Sequence, residues 1–307
     1  GRLILRLMLK ERRLRYSPYM NMLRYDFPTY VMMILSKKLA KQKKLLKHIE
    51  WKVLIILDAC RYDYFSYVLK HRFHGHLKGG LKAVLSSGSH THEWLIRTFK
   101  DLRAADIVYI SANPHISPHT LCTLNINFYH LERVYLYGFK HIGEVRTIDP
   151  SDVVKAFLKL SVKYPSKRFI IHFVQPHPPY IGRVKIPLSE RKLFTYLRKG
   201  LLPHSKVKLA YLENLSMVIP FVAEIIKICK ALNFKGKIIV TADHGDLVEW
   251  GLHPIGFHTL ELTLVPWFEA NMGSIKVDGQ ILRKVQTYLR IYEAINRLRK
   301  SLKGTLP

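Results

Sequence analysis

From residue 52 onward, the hydrophobic and polar positions of the chain follow two different periods in turn. Short runs rich in β-branched residues, such as KVLIILD (52–58) and RFIIHFV (168–174), are typical of buried strands. Longer stretches with an apolar residue every three to four positions, such as 152–164 and 206–232, are typical of helices that bury one face. Strands that alternate with helices of this length predict an α/β fold with a mostly parallel sheet. The same patterns predict a helix at 92–102, a final helix at 280–297, and strands at 106–112, 235–243 and 262–270.

Residues 1–50 differ from the rest of the chain, since they are basic and prone to form helices. We therefore predict a basic helical N-terminal segment over 1–50 and one α/β domain over 51–307. The segment closes with the lysine run KKLAKQKKLLKHIEW, for which a solvated helix face is favoured over a binding patch. Its first residues, GRLILRLMLKERRLRY, mix cations and apolar side chains as a helix at an anionic membrane surface would.

Charge and cysteine content narrow the choice of partners and compartment. The chain has 50 Lys and Arg against 22 Asp and Glu, a net charge of +28, which favours an anionic partner: nucleic acid, lipid, or a phosphorylated or sulfated substrate. Nucleic acid is disfavoured because no helix-turn-helix, zinc-finger or RRM-like signature is found. Three widely spaced cysteines, two of them in predicted buried elements, form no disulfide framework and fit a reducing compartment. No apolar run approaches the roughly 20 residues that span a bilayer. We expect a cytoplasmic protein with peripheral membrane contact.

Polar side chains follow three of the predicted strands at the point where each strand ends. Asp58 follows the first, Asp243 and His244 follow a late one, and His172 and His177 lie at the end of a third. Because the carboxyl ends of parallel strands meet at one sheet edge, these oxygen and imidazole groups could hold Zn²⁺ or another divalent metal. A single Asp at a strand end is more often a cap or turn residue, and His172 is equally well explained as a core histidine.

The stretch SSGSHTHEWLIRTF (86–99) offers a nucleophile. A Gly- and Ser-rich turn runs into a helix, which places a hydroxyl at a helix N-terminus, where the dipole favours an anion. The alternative is structural: Ser89 or Thr91 is the N-cap, and Glu93 supports the first turn.

Four motifs taken in order resemble the alkaline phosphatase and sulfatase superfamily, and in particular its archaeal sulfatase-like branch. They are LDACRYDYF, GSHTHEWL, HFVQPHPPY and TADHGDLVEWGLHP…LTLVPWF, within about residues 52–269. The resemblance implies a three-layer α/β sandwich with a metal at the carboxyl edge of its sheet. It also implies a metal-dependent hydrolase of phosphate or sulfate esters.

The resemblance also implies roles for individual residues. Asp58 corresponds to the metal ligand after the first strand, and Asp243 with His244 to the ligand pair after the late strand. Thr91 corresponds to the nucleophile, which also contacts the metal, with Ser89 as the alternative. The implied cofactor is a divalent ion, with Zn²⁺ favoured over Ca²⁺, Mg²⁺ or Mn²⁺.

Other positions complete the expected site. His253 corresponds to a further metal ligand, with His258 as its competitor, and His177 to a contact for the anionic oxygens of the substrate. Arg61 is a second candidate for those oxygens, although a surface pair with Asp63 explains it equally well. We also expect Asp246, and less so Glu249, to support the histidines of the site.

Two departures from the family pattern limit the prediction. The Cys/Ser-x-Pro-x-Arg signature of sulfatases is absent, which weighs against sulfate esters. Gln175 stands where many relatives have an aspartate, which weakens the case for a second metal. The predicted function is therefore ester hydrolysis through Thr91; the alternatives are phospho-group transfer to a lipid or glycan at a membrane surface, and nucleic-acid binding.

Overall fold

The computed structural model describes residues 39–303, apart from 74–76, 101, 144 and 255, and only the backbone of 299–303. The expectations for residues 1–38 lie outside this range, so the boundary predicted at residue 50 remains a prediction. The described chain forms a seven-stranded sheet in the order β2-β9-β8-β1-β7-β3-β4 and a separate hairpin, β5-β6. The strands are β1 Trp51–Leu57, β2 Gly79–Leu85, β3 Ile107–Ser111, β4 His130–Arg133, β5 Phe139–Ile142, β6 Val145–Ile148, β7 Arg168–Phe173, β8 Lys237–Thr241 and β9 Leu264–Ala270.

Helices connect the strands and cover both faces of the sheet, as the predicted βαβ units require. They are α1 Gln42–His48, α2 Tyr62–His71, α3 Thr91–Phe99, α4 Pro118–Thr123, α5 Pro150–Lys163, α6 Glu190–Arg198, α7 His204–Ala231, α8 Leu260–Thr263 and α9 Gly279–Lys303.

The centre of the sheet explains the apolar runs of the sequence. Strand β1 pairs in parallel with β7 on one side and β8 on the other, and β3 pairs in parallel with β7. Both faces of β1 are covered, so residues 53–57 are all fully buried, which a continuous aliphatic run permits and an alternating one would not. With β4, which pairs in parallel with β3, five parallel strands end at one edge, and this brings their last residues together.

Helix α1 is fastened to this edge through one buried amide. Gln42 Nε2 donates to Thr241 Oγ1 (2.8 Å) and to the carbonyl of Ala242 (2.7 Å), at the end of β8. Its Oε1 accepts from the indole of Trp94 in α3 at 2.8 Å. Gln42 therefore ties the end of β8 to helix α3. The lysines at 41, 44 and 47 face solvent, as expected for the lysine run.

Helix α7 is the one described helix that is long and apolar enough to cross a membrane, with a mean hydropathy of 1.5 over 18 residues. Half of that window is buried inside the fold, and the helix packs against α2, α5 and α9. The sequence predicted a helix at 206–232 but no apolar run of membrane-spanning length, because Glu213, Glu224 and Lys227 interrupt the run. The core helix of a globular domain has the same length and composition.

The predicted fold class is confirmed: the protein is α/β with a mostly parallel central sheet. Strand β9 departs from the parallel pattern, since it runs antiparallel to both β8 and β2. Strand β2 and the β5-β6 hairpin were not predicted, because their residues are largely exposed and show little of the apolar signal of a core strand.

Candidate functional site

The carboxyl edge of the sheet brings together side chains that are far apart in the sequence. Asp58 follows β1, Asp243 and His244 follow β8, and Thr91 is the first residue of α3. All four are buried, with Thr91 the most accessible at 5%.

Thr91 lies at the centre of this group. Its hydroxyl donates to Asp243 Oδ2 at 2.7 Å, and His244 Nε2 lies 3.5 Å from the same oxygen. The N-cap of α3 is His90, whose ring accepts from the backbone N–H of Glu93, so the expectation that Ser89 or Thr91 caps the helix is wrong. Ser89 instead bonds the Glu93 carboxylate through its backbone N–H (2.8 Å) and its hydroxyl (3.1 Å). Thr91 thus directs its oxygen away from its own helix and toward the strand ends.

Asp243 holds the group together with both of its oxygens. Oδ1 accepts from the backbone N–H of His244 (3.0 Å) and of Ala59 (3.3 Å), while Oδ2 accepts from Thr91. Ala59 reaches this position with a φ of 59°, a left-handed conformation that costs a residue with a Cβ on the order of 1 kcal/mol. The strained turn after β1 aims the Ala59 N–H at the Asp243 carboxylate.

The histidine of the pair presents a lone pair to the site. His244 Nδ1 lies 2.6 Å from the carbonyl of Gly245, which only accepts, so Nδ1 carries the proton and Nε2 the lone pair. Nε2 lies 3.5 Å from Asp58 Oδ1 and 3.5 Å from Asp243 Oδ2. Burial lowers the pKa of His244 to about 4, which keeps the ring neutral.

Two further residues join this first set. Asn113, just after β3, donates to Asp58 Oδ2 at 2.7 Å and to the Thr91 hydroxyl at 3.3 Å. His172, in β7, bonds the Tyr109 hydroxyl through Nδ1 (2.8 Å) and places Nε2 3.8 Å from Asp243 Oδ2. Asn113 was not predicted, although it too follows a strand of this edge. The ligand atoms of Asp58, His172 and Asp243 lie within 4.8 Å of one another, a spacing suited to a shared cation.

A second set of donors lies beside the first. His177, Glu190 and His253 also bring their ligand atoms within 4.8 Å of one another, and the His253 ring centroid is 4.5 Å from that of His244. Glu190 is the first residue of α6 and was missed, because nothing local distinguishes it from an ordinary first-turn glutamate. His258, the competitor of His253, instead bonds Glu93 at 2.8 Å.

Buried charges shape the electrostatics of both sets. Burial, reinforced by the nearby Asp243, raises the pKa of Asp58 well above its usual range. Burial also acts on Asp243, but the adjacent His244 and His172 outweigh it and lower the pKa of that carboxyl. Burial alone would lower the pKa of His253, yet Asp246 and Glu190 raise it above its ordinary value.

Several buried polar atoms here lack any hydrogen-bond partner among the described residues. They are Asp58 Oδ1, His172 Nε2, His253 Nδ1 and both oxygens of Asp246. Such atoms are costly to bury unless something compensates them. Carboxylate oxygens and imidazole nitrogens are the usual protein ligands of Zn²⁺ and other divalent ions. The residues present therefore fit a metal, in the first set and again around His253.

Arg61 and Glu249 form ion pairs with residues outside the two donor sets. The Arg61 guanidinium bonds both oxygens of Asp63 (3.0 and 2.8 Å), which is the surface pair considered in the sequence, and lies 3.5 Å from Glu249. Glu249 also pairs with Lys208 at 2.9 Å. Asp246 is 1% exposed and lies 3.8 Å from His253 Nδ1. Asp246, rather than Glu249, is therefore the carboxylate placed to support the site histidines.

No family model and no curated protein matches the sequence of the chain. Solved structures are similar at low identity. One is the C-terminal periplasmic domain of EcEptC from Escherichia coli, in complex with Zn (15% identity, 73% of this chain, 73% of that one, TM-score 0.46). Another is the phosphoglycerol transferase GacH of Streptococcus pyogenes in complex with sn-glycerol-1-phosphate (12%, 76% and 71%, 0.44). A third is a protein in the alkaline phosphatase superfamily from Vibrio parahaemolyticus (11%, 73% and 60%, 0.42). The archaeal branch expected from the motifs finds no support in them.

Proposed function

We propose that the chain is a metal-dependent enzyme that cleaves a phosphate ester with Thr91 as its nucleophile. The observation that carries the proposal is the position of the Thr91 hydroxyl, 2.7 Å from Asp243 Oδ2 and 3.5 Å from the unprotonated nitrogen of His244. A threonine alcohol is a weak nucleophile unless a neighbouring base or metal activates it. Both Asp243 and His244 lie within reach of its proton.

The donor set around Thr91 suits a divalent cation. Asp58, Asp243 and His244 would hold it, with Thr91 Oγ1 and His172 Nε2 adjacent. When bound, such an ion supplies Lewis acidity: it lowers the pKa of a neighbouring hydroxyl and neutralises charge on a phosphoryl oxygen. Asn113 holds the Asp58 carboxylate in place, a supporting contact of the kind that orients metal ligands.

The reaction then follows from the positions of the chain's own groups. Thr91 Oγ1 attacks phosphorus as its proton passes along the existing hydrogen bond to Asp243 Oδ2. The bond to the ester oxygen breaks, that oxygen takes a proton from water and leaves as the alcohol, and a phosphothreonine remains while Asp243 holds the proton that later returns to Thr91. Attack by water on the phosphothreonine releases phosphate and restores the Thr91 hydroxyl. Thr91 is also the first residue of α3, and the positive end of the helix dipole favours an anion there.

The second donor set is suited to the oxygens of the ester that do not react. His177 donates through Nδ1 to the carbonyl of Pro178 (2.6 Å), and its Nε2 lies 3.9 Å from Glu190. We propose that the anionic oxygens are neutralised either by a protonated His253 or by a second cation held by His177, Glu190 and His253. Measurement of metal stoichiometry separates these two cases.

Replacement of the two hydroxyls tests the proposal. After reconstitution with Zn²⁺, Mn²⁺, Mg²⁺ or Ca²⁺, the wild type should turn over an aryl phosphate or phosphodiester. Thr91→Ala should lose that turnover by about a thousandfold or more, and Ser89→Ala should retain most of it. Mass spectrometry of quenched wild type should find phosphate on Thr91. Retained activity in Thr91→Ala together with loss in Ser89→Ala would show that the nucleophile is Ser89.

Transfer to an acceptor alcohol is a second candidate function. The same phosphothreonine could pass its phosphoryl group to a lipid or glycan hydroxyl instead of to water. The observation that favours it is the surface formed by residues 183–209, beside the second donor set, which carries eight Lys and Arg together with the exposed Leu201 and Leu209. Partitioning of the product between phosphate and phosphoglycerol in the presence of added glycerol would separate transfer from hydrolysis.

A further inference from the structure

Residues 183–209, which we call the cap segment, carry an unusual concentration of positive charge. They include eight Lys and Arg, at 183, 185, 191, 192, 198, 199, 206 and 208, against the single carboxylate of Glu190. All eight cations are exposed. The cap segment is therefore much more basic than the chain as a whole, in which 50 cations face 22 carboxylates.

Most of this charge is not neutralised within the protein. Lys208 pairs with Glu249 at 2.9 Å. Within the part of the chain that the structure describes, no carboxylate forms an ion pair with the cations at 183, 185, 191, 198, 199 and 206. Internal pairing would have been the ordinary structural explanation for such a cluster, and it does not account for these six.

Apolar side chains are exposed among the same cations. Leu201, in the turn between α6 and α7, is 63% exposed; Leu209 is 44% exposed and Tyr196 40%. Large apolar side chains that remain in water beside cations are typical of surfaces that lie against a lipid headgroup region. A soluble polyanion would use the cations but would gain little from an exposed leucine at a turn, and a nucleic acid would use such a leucine only as a wedge between bases.

The cap segment is firmly attached to the candidate site. Its inner face forms a small second core in which Leu193 and Leu197 pack with Val207 and Tyr211. Leu193 also contacts the loop that carries His253, at Gly251, where a Cβ would come within 2.7 Å of the leucine. Glu190, at the start of α6, belongs to the second donor set. A surface bound by the cap segment would therefore lie beside the site.

We propose that the cap segment docks on an anionic lipid surface, with the cations at headgroup phosphates and Leu201, Tyr196 and Leu209 inserted between headgroups. Docking in this way presents the site to an ester carried by the lipid layer. That consequence, though not the docking itself, rests on the proposed function. The surface is distinct from the N-terminal residues 1–38, whose sequence also favours membrane contact.

Vesicle binding of the full chain tests the proposal. We expect binding to phosphatidylcholine vesicles that contain phosphatidylglycerol, and little binding to phosphatidylcholine alone. Each basic side chain near such a surface contributes roughly fivefold to the affinity, so Lys199→Glu with Lys206→Glu should weaken binding by about tenfold or more. The matched control, Lys100→Glu with Lys276→Glu, changes the net charge equally at two exposed lysines outside the cap segment and should bind like the wild type.

A second pair of variants tests insertion of apolar side chains. Leu201→Ser should weaken vesicle binding several-fold and leave binding to a DNA duplex unchanged. The control Leu282→Ser, at a leucine on α9 that is 41% exposed, should bind vesicles like the wild type. The proposal is overturned if the wild type does not bind the anionic vesicles, or if both cap variants bind them as the wild type does. Stronger binding to DNA than to vesicles, with no effect of Leu201→Ser, would overturn it in favour of nucleic acid.

Turnover of a soluble aryl phosphate by the same variants separates the two proposals. The cap variants should keep wild-type turnover of that substrate, because none of the replaced residues belongs to the two donor sets. Vesicle binding with the expected pattern and no turnover by the wild type would leave the docking in place and refute the proposed reaction. Turnover by the wild type with no vesicle binding would support the proposed reaction and refute the docking.

Discussion

Glu190 holds His253 from two directions: its Oε1 accepts from the backbone N–H of His253 at 3.2 Å and lies 3.3 Å from Nδ1 of the same ring. Glu190 begins α6, whereas His253 lies in a loop 63 residues later in the chain. One carboxylate thus bonds the backbone of a site histidine and lies beside its ring, and it joins the cap segment to the site.

Glu190→Gln should separate the charge of this residue from its structural role. The amide keeps an oxygen for the His253 N–H but removes the negative charge that faces His177 and His253. We expect turnover to fall by roughly 10- to 100-fold, as is common when a group that supports a metal or its histidines is replaced, with the thermal unfolding midpoint little changed. Glu190→Ala should cost more, since it also releases the His253 backbone. Turnover of Glu190→Gln equal to that of the wild type would argue against any role for the second donor set.

Asp58→Asn should weaken metal binding and should not destabilise the metal-free protein. The buried carboxylates of Asp58 and Asp243 repel each other without a cation, and an amide at Asp58 could donate toward His244 Nε2, 3.5 Å away. We expect the metal-free variant to be at least as stable as the metal-free wild type, by up to a few kcal/mol.

Calorimetry with and without Zn²⁺ provides the measurement for Asp58→Asn. A saturating metal stabilises the wild type by about 3 kcal/mol at a hundredfold excess over the dissociation constant, and the variant should lose that increment. Asp152→Asn, at a carboxylate of α5 outside the site, should keep it. An equal Zn²⁺ increment in wild type and Asp58→Asn would remove Asp58 from the ligand set.

Gly245→Ala should disrupt the site through the backbone alone. A Cβ at Gly245 would lie 1.8 Å from the carbonyl oxygen of Glu261, so the two segments could not stay in contact. The Gly245 carbonyl also fixes the ring of His244. We expect a loss of unfolding free energy above about 3 kcal/mol, measured by urea denaturation. Gly80→Ala is the control, because no atom lies within 4 Å of its added Cβ, and it should stay within about 0.5 kcal/mol of the wild type.

The ion pair of Asp106 with Arg168 should make stability depend on pH. Arg168 donates to both carboxylate oxygens at 2.8 Å, and these hydrogen bonds lower the pKa of Asp106 below its ordinary value. A depressed carboxyl pKa stabilises the fold above the unfolded value of about 3.9, and the contribution is lost as pH falls through the folded pKa.

Asp106→Asn should therefore be less stable than the wild type near neutral pH and equal to it in acid. Because the Asp106 side chain is 43% exposed, the difference should stay below about 1 kcal/mol. Urea midpoints of the two proteins over a pH series provide the check. A difference that grows as pH falls would contradict the sign.

The apolar periodicity by itself determined the fold class and the position of most core elements. The run at residues 53–57 had to be a strand buried on both faces, and the periodic stretch at 206–232 had to be a long helix with a buried side. Local patterns suffice there because burial of apolar area dominates the energy of those elements. The same patterns placed Asp58, Asp243 and His244 at strand ends, and thus near one edge of a parallel sheet.

Tertiary structure alone decided which polar groups meet. Asn113 and Glu190 carry no local sign of their contacts, since a carboxamide after a strand and a glutamate in a first helical turn are ordinary residues. The direction of the Thr91 hydroxyl, toward Asp243 rather than into its own helix, depends on the register of α3 against β8, which Gln42 fixes from outside both elements. A hydrogen bond depends on the distance between two atoms, and the chain sets that distance only after distant segments have packed.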